Sequence, residues 1–263
     1  MLLAFLSHTV KKTLSEPGVL FVLILQAAII GFVAFGMSFE YHGTTLLSIS
    51  LLGKEGFGGE NLLVVRQMIE HFVQLGWGVF MFLVIIGTSP SFTELLRDPL
   101  LNILLTKKFS RTQLLLLRYF GIILVVGGLQ LAFSSLMVLV LLLKTKIPFL
   151  WIISPLVAAP VMHFMTLAAL AALLGILFEQ PTAVTVVVLA AYFLSPVVSS
   201  AASLQDAWLR GAGYFFPPLA SIDRYFFDTL LYRVQGLTPP FLSIFYAAFY
   251  LVLASVIFKK RDL

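Results

Sequence analysis

The chain of 263 residues contains no cysteine and few charged residues. Without cysteine it can form no disulfide scaffold, no thiolate zinc site, no cysteine-ligated iron–sulfur cluster and no thiol nucleophile. Charged residues make up 11% of the sequence, against 60% hydrophobic residues. Because about a quarter of the residues of an average soluble domain are charged, so few charges could not cover a soluble surface. The composition therefore indicates an integral membrane protein.

Motifs for catalysis and for nucleotide or nucleic-acid binding are also missing. The net charge of +5 is too sparse for the clustered basic face that nucleic-acid binding requires. The four histidines do not form the H-E-x-x-H pattern of a zinc enzyme, and no serine in a predicted span has the glycine neighbours of a nucleophile elbow. The Gly53-Lys54 step lacks the upstream glycine of a phosphate-binding loop. We therefore predict that this chain is not an enzyme, holds no metal or cofactor, and takes any energy from another polypeptide.

Six uncharged apolar runs are long enough to cross a membrane, which takes roughly 20 helical residues for ~30 Å of hydrocarbon. The runs are continuous rather than alternating, which favours helices over membrane strands. Pro155 and Pro160 lie near the start of the fourth run, where we expect a kink or a short re-entrant segment. The runs cover residues 18–38, 72–89, 119–143, 149–178, 182–202 and 241–258. The predicted fold is a single all-α membrane domain over residues 1–263, with six transmembrane helices.

The loop charges orient these helices. With both termini inside, the inner segments carry more of the 17 cations and fewer of the 12 acids than the outer segments, as the positive-inside rule requires. Lys144 and Lys146 lie on the outer side, against this trend. We predict a multi-pass protein of the cytoplasmic (inner) membrane with both termini in the cytoplasm.

Acidic and basic side chains are absent from all six runs. Proton relays and ion-coupled pumps retain such groups at membrane depth despite a cost of ~3 kcal/mol or more, so both classes are disfavoured. His163 lies inside the fourth run and is interpreted as bonded to a neighbouring helix or facing an aqueous vestibule, rather than as a proton or metal site. Gln26 and Gln130 lie near the middles of the first and third runs. Their side chains are interpreted as joining neighbouring helices, and substrate binding is the less favoured alternative. These three side chains are the candidates for a substrate path.

The loop over residues 90–113, between the second and third runs, has dense helix signals. Asp98 is placed as an N-cap with Pro99 at the first helical position, and Lys107 and Lys108 suit the negative end of the helix dipole. The pattern predicts a helix of about two turns that is too short to span the membrane.

The residues of this short helix are apolar nearly all round, so that it must be buried against something. Its apolar side chains are Leu100, Leu101, Ile103, Leu104 and Leu105. It is either an element that docks in a groove on a protein motor or an interfacial helix lying in lipid headgroups. Ser110 and Gln113 then form the capping-box pattern that opens the next helix.

The same segment resembles a known family. Its pattern is Glu94, then P-L-L-N-I-L-L-T-K over positions 99–107, S-R-T-Q-L-L-L from position 110 and R-Y at 118–119. This is similar to the loop after the second span of ATP-binding cassette permeases of the type 2 family. Positions 108 and 109 hold Lys-Phe where the family usually has a proline before the Ser-Arg pair. Chain length, the six-helix plan and the basic ends are also similar, so that the resemblance covers essentially the whole chain.

The resemblance implies the permease subunit of an ATP-driven exporter. Residues 99–105 would be the coupling helix on which the ATPase docks, with Glu94, Arg97, Arg111 and Arg118 as its ionic frame. For Arg111 and Arg118 the alternative is ordinary anchoring at the inner membrane surface.

The partners implied are two copies of a cognate ATPase subunit, which would hold ATP and magnesium, and a second permease copy in a homodimer. Membrane lipids are the other expected partner, and nucleic acid is not one. The alternative function is a non-energised membrane component, such as a scaffold or an assembly factor for another complex.

Two further segments are amphipathic. Within residues 1–16, Leu3, Leu6, Val10 and Leu14 share one helical face, which predicts an interfacial helix on the inner leaflet. Residues 203–240 alternate aromatic and charged side chains, which predicts short outer helices before the last span. The family resemblance implies that these outer helices re-enter the membrane to close an exit; an aromatic belt at the headgroups is the alternative.

Overall fold

The structure, a computed structural model, describes the chain in ten stretches, and everything below concerns them. They are residues 2–42, 45–51, 54–58, 78–97, 109–145, 150, 153–201, 217, 219 and 238–260. This part is mostly helical, and five of its helices are long and apolar enough to cross a membrane. Such helices mark a multi-pass membrane protein.

Eight helices are described, and we number them in chain order. They are α1 (Leu2–Ser15), α2 (Pro17–Gly31), α3 (78–88), α4 (Pro90–Leu95), α5 (Arg111–Thr145), α6 (Ile153–Phe178), α7 (Pro181–Ala201) and α8 (Thr238–Lys260). Helix α2 continues into a wider π-helical turn, Phe32–Gly36. The apolar part of α7, Pro181–Val197, is shorter than the other five candidate spans. The predicted layout of six spans therefore remains a prediction.

A three-stranded antiparallel sheet follows α2, which the all-α prediction did not include. Its strands are β1 (Met37–His42), β2 (Thr45–Leu51) and β3 (Lys54–Gly58), with β2 in the middle. Met37 pairs with Leu51, and Ser48 pairs with Gly58. The sequence M-S-F-E-Y-H of β1 alternates apolar and polar residues, the period of a strand. Such a short alternating segment contains no long apolar run, so the apolar runs alone did not predict the sheet.

Lys144 joins this sheet to the end of α5. Its Nζ donates a hydrogen bond to the Met37 carbonyl oxygen at 2.5 Å and lies 5.8 Å from the centre of the Phe39 ring. A cation is also favoured in the last turn of a helix, where the dipole is negative. These contacts give Lys144 a structural role, which explains why a lysine is present although the predicted orientation places it on the outer side.

Helix α6 is at the centre of the bundle. It packs against α4, α5, α7 and α8, and every residue from 166 to 173 is buried. A helix that is apolar on all sides is stable only where neighbours surround it. Helix α6 runs without interruption from Ile153 through Pro160, so the structure shows no re-entrant segment within 153–178.

Helix α1 packs on α5 through a face that the leucine pattern did not indicate. Its buried residues are Phe5, Thr9 and Thr13, whereas Leu3 is 81% exposed and Leu14 38%. Opposite Thr9 on α5 is Gly121, where an added Cβ would lie 2.7 Å from the Thr9 Cγ2 atom. The helix predicted over the N-terminal segment is present; Leu3 and Leu14 of its predicted face are exposed, whereas Leu6 and Val10 are half-buried.

The start of α2 crosses α3 in backbone contact. A Cβ added to Gly18 would lie 2.6 Å from the Leu83 carbonyl oxygen and 2.8 Å from the Gly87 Cα atom. Glycine at both positions allows this approach, as small residues do where membrane helices pack closely.

We expect Gly18→Ala to destabilise the protein by about 1–3 kcal/mol, because the added methyl group meets backbone atoms that cannot rotate away. Gly31→Ala is the matched control on the same helix, since nothing lies within 4 Å of its added Cβ. The melting temperatures of both variants in lipid nanodiscs test this. A Gly18→Ala protein as stable as Gly31→Ala would contradict the close crossing.

Candidate functional site

The predicted coupling helix itself, residues 99–105, lies outside the described residues. Its named side chains are Pro99, Leu100, Leu101, Ile103, Leu104 and Leu105, and their docking role remains a prediction. The structure describes the two ends of the loop, which carry the four residues of the predicted ionic frame. We call six residues there the loop-base cluster: Lys12, Glu16, Glu94, Arg97, Arg111 and Arg118.

Glu94 lies at the end of α4 and forms an ion pair with α1. Its Oε2 atom is 2.5 Å from the Lys12 Nζ atom, and the two side chains are 41% and 31% exposed. A partly exposed pair of this kind stabilises the protein only modestly, so its main effect is to fix geometry. The pair joins the N-terminal helix to the start of the loop. Sequence reasoning missed Lys12 as a member, because the two residues are far apart in the sequence.

Glu16 lies between α1 and α2 and adds a second carboxylate. Burial raises the pKa of Glu16 above its ordinary value, and the nearby Glu94 charge raises it further. Lys12 and Arg118 act in the opposite direction. Two acids and two bases from three parts of the chain, the end of α1, α4 and α5, thus influence one another at the base of the loop.

Arg118 is the most deeply buried member of the cluster. The side chain is 1% exposed, and its Nε atom donates to the Ser91 carbonyl oxygen of α4 at 3.4 Å. A guanidinium costs several kcal/mol to bury unless charges and acceptors surround it. Anchoring in lipid headgroups would leave the side chain at the protein surface, so this position favours a role inside the protein.

The two remaining arginines contact distant parts of the chain. Arg97 donates from Nη2 to the Glu179 carbonyl oxygen at 3.4 Å, in the turn between α6 and α7. Arg111 donates from Nη1 to the Phe258 carbonyl oxygen at 3.2 Å, and its guanidinium lies 6.0 Å from the centre of the Phe258 ring. Arg111 therefore binds the last turn of α8.

The capping box predicted at the start of α5 is confirmed. The Ser110 amide donates to the Gln113 Oε1 atom at 3.0 Å, and the Gln113 amide donates to the Ser110 Oγ atom at 3.2 Å. This reciprocal pair fixes the point at which the chain leaves the loop and becomes a long helix.

The loop base is thus bonded to much of the bundle. Glu94 contacts α1, Arg97 contacts the α6–α7 turn, Arg111 contacts α8, and Arg118 links α5 to α4. The cluster is suited to transmitting a displacement of the loop to several helices at once.

The three predicted substrate-path residues form two separate sets of contacts. Gln26 donates from Nε2 to the Gln130 Oε1 atom at 3.2 Å, and Gln130 donates from Nε2 to the Leu156 carbonyl oxygen at 2.9 Å. His163 is fully buried, next to the backbone of Ala159 and Leu219 and edge-on to the Tyr192 ring at 6.5 Å.

Sequence reasoning did not identify Ser195 of α7. Its Oγ atom donates to the Pro217 carbonyl oxygen at 3.2 Å and accepts from the Leu219 amide at 3.2 Å. Leu219 is 2% exposed, so this part of the 203–240 segment lies within the bundle. Residues 238–240 of that segment form the first turn of α8, and its other residues, which include most of the predicted outer helices, lie outside the described residues.

No family model, no curated protein and no solved structure matches this chain. In the stretches that the structure describes, no three histidine or acidic side chains are grouped so that they could hold a metal ion.

Glu16→Gln should stabilise the protein at neutral pH. A raised pKa means that the folded protein binds this proton more tightly than the unfolded chain, whose value is near 4.5. Protonation of Glu16 stabilises the folded protein fully below pH 4.5, and this stabilisation is lost as the pH rises through the pKa of the folded state. At pH 7 the charged Glu16 side chain therefore opposes folding, and glutamine removes that cost.

We expect Glu16→Gln to raise the melting temperature at pH 7, with a gain that shrinks as the pH falls towards 4.5. Glu94→Gln is the control, because it removes the partner of Lys12 and should not stabilise. A lower melting temperature for Glu16→Gln at pH 7 would show that the carboxylate contributes favourably as a charge.

Glu179, whose carbonyl group binds Arg97, has the left-handed backbone conformation, with φ of 56°. A Cβ costs roughly 1–2 kcal/mol in this conformation, which glycine adopts freely. Glu179→Gly should therefore be more stable than Glu179→Ala by about 1 kcal/mol, since both variants lose the same side chain beyond Cβ. Thermal unfolding of the two variants measures the difference, and equal melting temperatures would contradict it.

Proposed function

We propose that this chain is the membrane-spanning permease subunit of an ATP-driven exporter in the cytoplasmic membrane. A separate ATPase subunit hydrolyses ATP and docks on residues 99–105. The observation that carries the proposal is the loop-base cluster, whose contacts join both ends of this loop to α1, the α6–α7 turn, α4 and α8. An ATPase subunit without membrane contacts of its own can move the transmembrane helices only through a loop that is bonded to several of them.

The chain has six spans in this proposal, with α7 as the fifth and both termini in the cytoplasm. The loop-base cluster, the α6–α7 turn and the last turn of α8 then all lie on the cytoplasmic side. Their mutual contacts support that arrangement, because Arg97 and Arg111 bring these three elements together. Lys259 and Lys260 at the end of α8 suit the same side.

The working assembly contains two permease copies, taken as a homodimer, and two ATPase subunits that hold ATP and magnesium. This follows the resemblance of the loop sequence to type 2 ATP-binding cassette permeases. In this assembly the chain provides the substrate path, transmits the movement of the ATPase and contacts the lipid, and the partner subunit hydrolyses ATP.

A non-energised scaffold or assembly factor is the second candidate function. The buried Arg118 favours the permease, because a scaffold has no evident need of a guanidinium held beneath the loop at a cost of several kcal/mol. A co-purifying ATPase distinguishes the two candidates.

The test is affinity purification of the tagged chain from its native membranes into nanodiscs, followed by measurement of magnesium-dependent ATP hydrolysis. The double variant Leu101→Glu and Leu104→Glu should lose both the ATPase subunit and the hydrolysis, because two carboxylates in an apolar groove weaken docking by roughly 100-fold or more. Leu101→Met with Leu104→Met is the control and should retain both, since methionine nearly conserves the volume.

Unchanged melting temperatures of the two double variants would show that the permease itself is intact. A wild-type preparation without ATP hydrolysis and without a polypeptide containing a phosphate loop would instead support the scaffold. Retention of the ATPase by the glutamate variant would contradict docking on residues 99–105.

A further inference from the structure

Helix α6 has a break in its hydrogen bonding near its first turns. Pro160 has no amide hydrogen, so the carbonyl group four residues earlier, that of Leu156, has no helical donor. In hydrocarbon an unsatisfied carbonyl group costs several kcal/mol, so a donor from elsewhere in the protein is needed.

A side chain from another helix supplies this donor. Gln130 of α5 donates from Nε2 to the Leu156 carbonyl oxygen at 2.9 Å, the usual length of a good hydrogen bond. The Gln130 side chain is 6% exposed, so that the bond is shielded.

Gln130 is itself held by a third helix. Its Oε1 atom accepts from the Gln26 Nε2 atom of α2 at 3.2 Å, and the Gln26 side chain is 7% exposed. A continuous chain of hydrogen bonds thus joins α2, α5 and α6 at the level of the proline. We call these two glutamines the amide pair.

The neighbouring part of α5 is also weakly helical. Gly127 and Gly128 precede Gln130, and glycine is about 1 kcal/mol less favourable than alanine inside a helix. A Cβ on Gly127 would lie 3.7 Å from the Cγ2 atom of Val161, the residue after the proline. The weak points of α5 and α6 therefore face each other at the same level.

We propose that Pro160 is a hinge in α6 and that the amide pair is the latch that holds it closed. The segment 153–159 bends relative to 161–178 when the bond from Gln130 to the Leu156 carbonyl group breaks. Gln26 and Gln130 are then positioning residues for a conformational change rather than groups that bind substrate. This inference does not depend on the ATPase partner.

The hinge can be measured directly because the natural chain has no cysteine. Ile153→Cys and Phe178→Cys place one spin label at each end of α6, roughly 37 Å apart for a straight helix. Pulsed electron–electron double resonance in lipid nanodiscs gives the distribution of this distance.

The labelled wild-type background should show one narrow distance distribution. Gln130→Leu should add a shorter and broader component, and should speed amide exchange over residues 157–164 by roughly fivefold, the factor for one ordinary hydrogen bond. Adding Pro160→Ala to Gln130→Leu should restore the narrow distribution, because the alanine amide then donates to the Leu156 carbonyl group. Gln26→Leu should give an intermediate distribution.

Ser134→Ala is the matched control on α5, because within the described stretches the Ser134 hydroxyl is buried without a hydrogen-bond partner. It should leave the distribution unchanged. A narrow distribution for Gln130→Leu would overturn the latch, and equal broadening with and without Pro160 would overturn the hinge.

Folding of the variants is itself informative. If Gln130→Leu fails to fold while the combination with Pro160→Ala folds, the dependence on the proline supports the proposal. If neither folds, the destabilisation does not arise at Pro160, and the proposal is wrong.

Discussion

Within hydrocarbon, each polar group of the backbone must find its hydrogen-bond partner in the protein itself. This constraint explains why the apolar runs are helices and why several polar side chains within them bond to carbonyl groups. Thr88 and Thr145 donate to the carbonyl oxygens four residues earlier in their own helices. Gln130 bonds to the Leu156 carbonyl oxygen in a helix that contains proline, and Ser195 bonds to the Pro217 carbonyl oxygen and the Leu219 amide. Gln130 is thus placed where a backbone carbonyl group needs a donor.

Close packing follows from a second property of the membrane. Lipid tails are as apolar as leucine, so helices gain little from burying leucines against each other and associate through close van der Waals contact. The alanine-rich middle of α6 and the crossing of Gly18 with Gly87 provide such contact. Gly175 does the same beside Phe92, where an added Cβ would lie 2.9 Å from the Phe92 Cβ atom. The large apolar side chains point outwards on α2 and α8 instead, where many are exposed.

The features that could be predicted from sequence are those that local physical chemistry determines. The capping box of Ser110 and Gln113 depends on neighbours within a few residues, and it is present. The length and apolarity of the spans predict transmembrane helices for the same reason. The alternation of apolar and polar residues in β1 is also a local signal. It covers only six residues and lies beside long apolar runs, which dominate the sequence pattern.

The partners of the site residues could not be predicted, because they depend on how distant helices pack. Nothing in the sequence near Glu94 indicates Lys12, and nothing near Gln130 indicates the Leu156 carbonyl group. The proline in α6 shows that a carbonyl group needs a donor, but not which helix supplies it. Residues 99–105 remain known only from their sequence pattern.

The ion pair between Lys12 and Glu94 links the position of helix α1 to the position of the loop base. Helix α1 has leucines on its outer side and Lys12 beside its protein-facing side, so it contacts both the exterior and the loop base. Free energies of linked contacts are reciprocal. A displacement of α1 therefore changes the free energy of the contacts at the loop base, and a displacement of the loop base acts back on α1 to the same extent.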